Sequence, residues 1–171
     1  MALFCAVRPV HAASNPEADA SARILTETKA EDMRIYMLSM YLSQKNSPLA
    51  NKAGFFVIEA DRLDLDWRLV AAISGVESTF GKHIPQHSYN AWGWGIPTGA
   101  SHGIGFSSWE EGITTVSEGL KYRYIDRGAV SIEAIGRVYA ASPAWSAKVR
   151  WMISDIDAFV ARSTKALAMT I

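Results

Sequence analysis

Glu77 is the one acidic residue between Asp66 and Glu110, and the stretch around it, VAAISGVESTFGK at 70–82, is otherwise mostly apolar or small. Helical spacing puts Val70 and Ile73 on the same face as Glu77, with Asp66 about three turns back. A carboxyl group among apolar side chains has its pKa raised, because desolvation penalises the ion. A glutamate kept protonated near neutral pH is suited to give its proton to the leaving oxygen of a glycosidic bond. A buried glutamate satisfied by hydrogen bonds, or one turned to solvent, fits the same spacing.

The next segment, KHIPQHSYNAWGWGIPTGASHGIGF at 82–106, has no helical period. Tyr89, Trp92, Trp94 and Phe106 are interleaved there with Gly93, Gly95, Gly103 and Gly105. Aromatic faces stack on sugar rings, and glycine lets a backbone come close to a ligand. Asn90 and Ser88 offer hydrogen bonds to an acetamido group or hydroxyls. Ser78, beside Glu77, joins Tyr89, Asn90, Trp92, Trp94 and Phe106 as a candidate substrate contact. The same tryptophans would equally serve to cover a core beneath an irregular loop. A structureless loop of this length is unusual in a compact domain and often functional.

Other chemistries find less support. His83, His87 and His102 match no compact metal motif and have no acidic residue among them, so neither a metal nor a cofactor is expected. The serines lack a nucleophile-elbow context, and no phosphate-binding glycine loop is present. Cys5 is the single cysteine, which excludes an internal disulfide.

Most of the remaining chain reads as helices that position these residues. TKAEDMRIYMLSMYLSQK carries Met33, Tyr36, Met37, Met40 and Tyr41 at spacings of three and four, a core-facing stripe. Ser47-Pro48 reads as a cap and first helical residue before LANKAGFFVIEADRL. Asp66 is placed to cap the Glu77 helix, and Gly81 to end it. Ser108 and Glu111 form a capping box before a helix through SSWEEGITTVSEGLKYRYI. Ser131 caps IEAIGRVYAA, and Ser142-Pro143 opens AWSAKVRWMISDIDAFVA, after which RSTKALAMTI is a tail that frays.

With 171 residues, 49% hydrophobic and 20% charged, the chain reads as one globular domain. Lys+Arg and Asp+Glu balance at 17 each, which gives no electrostatic footprint for nucleic acid or an anionic membrane. No run is long enough to span a membrane. The opening MALFCAVRPVHAASNP has an apolar run and small residues about Ala12-Ala13, as at the end of a signal peptide, but lacks a basic start and contains Arg8-Pro9. Residues 1–25 are thus either a partial export signal or a flexible leader, 26–162 the domain, and 163–171 a tail. The fold expected is mainly α, with an irregular loop or small β-lobe after the Glu77 helix.

Taken together, AAISGVESTFGK, YNAWGWG, GFSSWEEGITTVSEGL and VYAASPAW followed by KV resemble the bacterial glucosaminidase family of peptidoglycan hydrolases, within the lysozyme-like superfamily. The resemblance runs over residues 48–160 and rests on the E-S-x-x-G, N-A-W-G and Y-A-x-x-P segments in that order. It implies a lysozyme-like helical fold, Glu77 as the catalytic acid, Asn90 and Trp92 lining the cleft, and Tyr139 facing the glutamate. Tyr139 also fits a core tyrosine with its hydroxyl satisfied, and Trp145 is assigned to packing.

The family's second acidic residue has no counterpart in residues 82–109. Glu110 is the nearest later carboxylate and reads as a first-turn helix residue. A single-carboxylate mechanism is therefore expected, with the substrate's acetamido group assisting. The resemblance implies peptidoglycan glycan strands as partner and a secreted or cell-envelope location. A lytic transglycosylase on the same scaffold, a non-catalytic wall-glycan binding module and a helical interaction protein with core tryptophans are the alternatives.

Overall fold

Helix α3, Leu69–Ser78, has almost no polar face: residues 69–75 are all buried, and only Val76 and Glu77 emerge before Ser78 is buried again. A helix apolar all round has to be enclosed by others. The computed structural model describes residues 33–95 and 104–169. Around α3 it arranges α1 (33–44), α2 (Ala53–Leu63), α4 (Trp109–Gly119), α5 (Ile132–Tyr139) and α6 (Trp145–Ala168). α3 packs chiefly against α6 and also meets α4, while α2 lies against α4 and α5 against α6.

The described residues contain helices and no strand, so the architecture is mainly α. From Thr79 to Gly95 the chain runs in turns, and the Phe106 N–H donates to the Ser88 carbonyl at 2.8 Å. The β-lobe alternative therefore finds no strand in the described part of this segment. The leader, Cys5, the expected domain start at 26, and His102 with Gly103 lie outside the described residues. No described helix is long and apolar enough to cross a membrane.

Local capping follows the sequence in several places. The Ser47 hydroxyl accepts from the Leu49 N–H (3.0 Å) and donates to the Phe80 carbonyl (2.8 Å), so it closes a turn ahead of the first helical residue, Ala50, and ties that turn to the chain just after α3. A 3-10 turn, Ala50–Lys52, then leads into α2. Asp66 does not cap α3 as expected: it accepts from the Arg68 N–H at 2.9 Å in the turn ahead of the helix, which begins at Leu69 with no side-chain cap. Ser131 accepts from the Ala134 N–H at 3.1 Å. The Ser108 hydroxyl accepts from the Glu111 N–H (3.2 Å), but the Glu111 carboxylate reaches back to the N–H of Ser107 (2.6 Å), shifting the box by one residue.

Elsewhere packing overrides local signals. α3 stops at Ser78 rather than at Gly81, because Thr79, Phe80 and Gly81 are all left-handed (φ 54°, 61° and 81°). The Phe80 ring closes on Gly75, where an added Cβ would lie 2.7 Å from it, and the Phe80 N–H donates to the Ser74 carbonyl at 3.0 Å. Left-handed backbone at a β-branched threonine costs about 1–2 kcal/mol and holds only where its surroundings enforce it. α4 continues into a π-turn, Leu120–Tyr124, and a 3-10 turn, Ile125–Arg127, instead of one regular helix. Ser142 supplies a backbone carbonyl to the Trp145 N–H (3.1 Å) but no side-chain cap to α6. The expected tail is helical to Ala168, consistent with the helix-forming run Lys165-Ala166-Leu167-Ala168.

α1 buries Met37 and Tyr41 of the expected stripe together with Leu38 and Leu42, and leaves Met33, Tyr36 and Met40 exposed, so the buried face is rotated to one side of the stripe. Tyr41 sets that rotation. Its ring meets Phe80 and Phe159 edge-on at 5.6 and 5.5 Å, and its hydroxyl donates to Asp155 of α6 at 2.8 Å. Lys45 donates to the same oxygen at 2.7 Å, and that bond, with the one from Tyr41, holds the Asp155 carboxyl below its usual pKa. Its stabilisation is thus present above the ordinary Asp pKa and lost as pH falls through the lowered value. Asp155→Asn is expected to cost about 1 kcal/mol at neutral pH. Urea melts at pH 7 and pH 3 check this: the gap to wild type should narrow at the lower pH, and an unchanged gap would be inconsistent with the pairing.

Candidate active site

Four chain segments converge on one cleft of about 440 Å³: the end of α3 with Glu77, the loop residues Trp92, Gly93, Trp94 and Gly95, the π-turn with Tyr124, and the end of α5 with Val138, Tyr139 and Ala140. Among the described residues, Glu77 is the one acidic side chain lining it.

The loop is shaped by Asn90. Its amide donates to the carbonyls of Trp94 and Ile104, both at 2.9 Å, and its oxygen accepts from the N–H groups of Trp92 (3.3 Å) and Trp94 (3.0 Å). That side chain is buried and fully used, so it organises the loop and has no free group for an acetamido ligand. Ser78 is likewise consumed: its hydroxyl reaches the Ala91 carbonyl (2.7 Å) and accepts from the Gly81 N–H (2.8 Å). Phe106 is buried against Trp92 (6.5 Å between rings), and Tyr89 packs edge-on to Trp109 (5.3 Å). None of these four lines the cleft. Sequence suggests all four as contacts because polar and aromatic residues in a loop look alike whether they face a ligand or the core.

The two loop tryptophans do reach the cleft wall, each pressed onto a glycine of α4. Trp92 is fully buried, donates its indole N–H to the Val70 carbonyl at 2.9 Å, and packs where a Cβ on Gly112 would lie 2.7 Å away. Trp94 packs on Gly119, where an added Cβ would lie 2.1 Å from its ring. The π-turn comes directly after Gly119, and Tyr124 within it faces Trp94 and Tyr139 with rings 6.0 and 6.1 Å away. An extra residue in a helical turn rotates the side chains beyond it, and such turns recur at functional sites. Gly119→Ala is expected to destabilise by about 1–3 kcal/mol through overpacking, outweighing the roughly 1 kcal/mol that alanine gains in helix propensity. Equilibrium unfolding in urea measures it; a variant as stable as wild type would refute the tight Trp94 contact.

Glu77 sits in the last turn of α3 and is exposed, whereas Val70 and Ile73 are buried. Its apolar surroundings therefore come from α5 and α6 rather than from its own helix. The Trp145 indole N–H donates to Glu77 Oε1 at 2.6 Å, and the Tyr139 ring stacks on Trp145 at 4.8 Å with 24° between planes. Desolvation pushes the Glu77 carboxyl above its ordinary pKa, while the Trp145 hydrogen bond and the Lys148 charge pull it partly back. The negative end of the α3 dipole also disfavours the ion.

Sequence assigns Trp145 to packing alone and misses its part in the site. It is buried, with a Cβ on Gly136 only 3.0 Å from its ring, and it also orients the carboxyl. The available signal is chemical: a buried indole N–H needs an acceptor, and Glu77 is an unpaired carboxylate at hand.

Tyr139 donates its hydroxyl proton to the Trp92 carbonyl at 2.7 Å. Burial, then the charges of Glu77 and Tyr124, raise its pKa well above normal, so it stays protonated. Its oxygen can offer lone pairs but not act as a base. Glu110 is remote from this chemistry, paired with Lys52 at 2.5 Å in the first turn of α4, and that pairing lowers its pKa. Among the described residues no group of three or more His, Cys, Asp or Glu is arranged to hold a metal ion. The arrangement can deliver a proton from one carboxyl into an aromatic cleft. No protein-family model matches the chain, and no curated protein matches it in sequence.

Proposed function

We propose that the protein is a glycoside hydrolase that cleaves peptidoglycan at N-acetylglucosamine-type bonds, with Glu77 as general acid and then general base. The observation that carries this reading is the lone carboxyl, raised in pKa and hydrogen-bonded to Trp145, on the wall of an aromatic cleft. The resemblance of the E-S-x-x-G, N-A-W-G and Y-A-x-x-P segments to bacterial glucosaminidases of lysozyme-like fold supports the same reading.

Protonated Glu77 gives its proton to the glycosidic oxygen as the bond from the anomeric carbon to that oxygen breaks, releasing an alcohol. The carbonyl oxygen of the substrate's own 2-acetamido group bonds to the anomeric carbon, forming a cyclic oxazolinium cation; this route needs no second carboxylate. The Tyr139 oxygen, its proton committed to Trp92, turns lone-pair density toward that cation. The Glu77 carboxylate next takes a proton from water, whose oxygen opens the ring and leaves a reducing end. Were the sugar's 6-hydroxyl to take the place of water, the product would be a 1,6-anhydro sugar, as in a lytic transglycosylase.

Digestion of purified peptidoglycan by the full chain, with mass spectrometry of the soluble fragments, tests the proposal. Reducing ends are expected. Anhydro ends, lighter by one water, would reassign the enzyme as a transglycosylase. No release from several wall types would leave the binding-module reading in its place.

A further inference from the structure

The end of α5 stands between two pockets. Val138 and Tyr139 line the Glu77 cleft, Gly136 and Arg137 line a second groove of about 420 Å³ against the start of α6, and Ala140 lines both. The two helices touch at the floor of this groove. A Cβ on Gly136 would lie 2.1 Å from the Ser146 hydroxyl, which donates to the Ile132 carbonyl at 3.2 Å. The walls carry two guanidinium groups and one carboxylate. Arg150 of α6 pairs with Glu133 of α5, whereas Arg137 has no acidic side chain within ion-pair distance among the described residues. The groove therefore has a net positive charge and one uncommitted guanidinium, a single backbone ridge away from the cleft that holds Glu77.

We infer that this groove takes the peptide stem carried by the muramic acid residues of the strand in the cleft, with Arg137 holding a stem carboxylate. The inference rests on the proposed function and assigns a part of the substrate that the glycosidic chemistry does not use. Charge and position select the occupant. The stem leaves the sugar through its lactyl ether and bears free carboxylates, whereas the sugar rings are neutral. A planar guanidinium meets a carboxylate with two parallel hydrogen bonds. Glu133 keeps Arg150 engaged, so the stem's charge falls to Arg137. Two or three residues of extended peptide, about 7–10 Å, are enough to cross the one ridge at Ala140 that the two pockets share.

Binding is measured apart from turnover, in the Glu77→Gln background of the full chain, by calorimetric titration of two probes. One is uncrosslinked peptidoglycan strands with intact stems, and the other is the same strands with the stem carboxylates converted to methylamides. The parent is expected to bind the native strands about three- to tenfold more tightly than the methylamide form. Arg137→Gln should abolish that preference and bind the methylamide form as the parent does, with Arg137→Lys keeping part of the preference. Arg127→Gln, which removes an exposed guanidinium that lines neither pocket, should keep all of it. Because each protein is compared on two forms of one strand, a general loss of folding would lower both affinities and leave their ratio alone.

Equal affinity of the parent for the two strand forms would overturn the inference while leaving the cleft as a glycan site. So would a preference for native strands that survives Arg137→Gln, which would put the stem carboxylates elsewhere on the protein. No binding of either probe by the Glu77→Gln parent would overturn the inference and the proposed function together.

Discussion

Glu77→Gln is expected to lower turnover by about 10²–10⁴-fold, the usual contribution of a positioned general acid, while glycan binding survives. Gln keeps the shape and an oxygen for the Trp145 N–H but has no proton of suitable acidity. The same change should stabilise the protein above the ordinary carboxyl pKa. Partial desolvation of its carboxyl beside the aromatics of α5 and α6 raises the folded-state pKa of Glu77 above its ordinary value. Its contribution to stability is therefore complete below the unfolded pKa and is lost as pH rises through the raised one. Gln carries no such penalty, so the difference in Tm between variant and wild type should be small at pH 4 and grow in favour of the variant by pH 8. Initial rates and melts across that range measure both effects. A variant that lost activity and stability together would point to misfolding rather than to lost chemistry.

Trp145→Phe should have the next largest effect. Phenylalanine keeps an aromatic ring beside Tyr139 but removes the donor that sits 2.6 Å from Glu77 Oε1. A hydrogen bond to a charged group is worth about 1.5–3 kcal/mol, so losing the one that orients the acid should slow turnover by about 10- to 100-fold. That bond also favours the carboxylate and lowers the Glu77 pKa. Without it the pKa climbs further, and the alkaline limb on which activity falls should move to higher pH. A purely structural loss would reduce the rate at every pH and leave the limb where it was. Rate profiles over pH, at saturating and at low substrate, separate the two.

The parts of this site that can be read from sequence are those fixed by short-range chemistry. The isolated carboxyl in an apolar helix, the caps at Ser108 and Ser131, and the aromatic loop after α3 are each visible within a few residues. The features that sequence hides depend on partners distant in the chain. The end of α3 is set by Phe80 closing on Gly75, so the stronger local stop signal at Gly81 loses. The π-turn sits where Trp94 presses on Gly119, which no period in residues 109–125 announces. Asn90 and Trp92 share a motif with a cleft expected of them, yet Asn90 spends all its hydrogen bonds on the loop that holds the tryptophans.

Glu77 itself is legible in the sequence, but for a reason the structure corrects. Val70 and Ile73 share its helical face but stay in the core, while the carboxyl emerges at the last turn and meets aromatics from α5 and α6. The raised pKa comes from tertiary packing. Trp145, the residue closest to the chemistry after Glu77, looks like core because it is core, with one polar atom reaching out of it.

The most direct test of the central claim is a paired digestion of peptidoglycan by wild type and Glu77→Gln, with newly formed sugar ends counted by mass spectrometry. New ends are expected from wild type and almost none from the variant, although the variant folds and binds the strands. New ends at equal rates from both proteins would contradict it, since the proton would then come from somewhere other than Glu77.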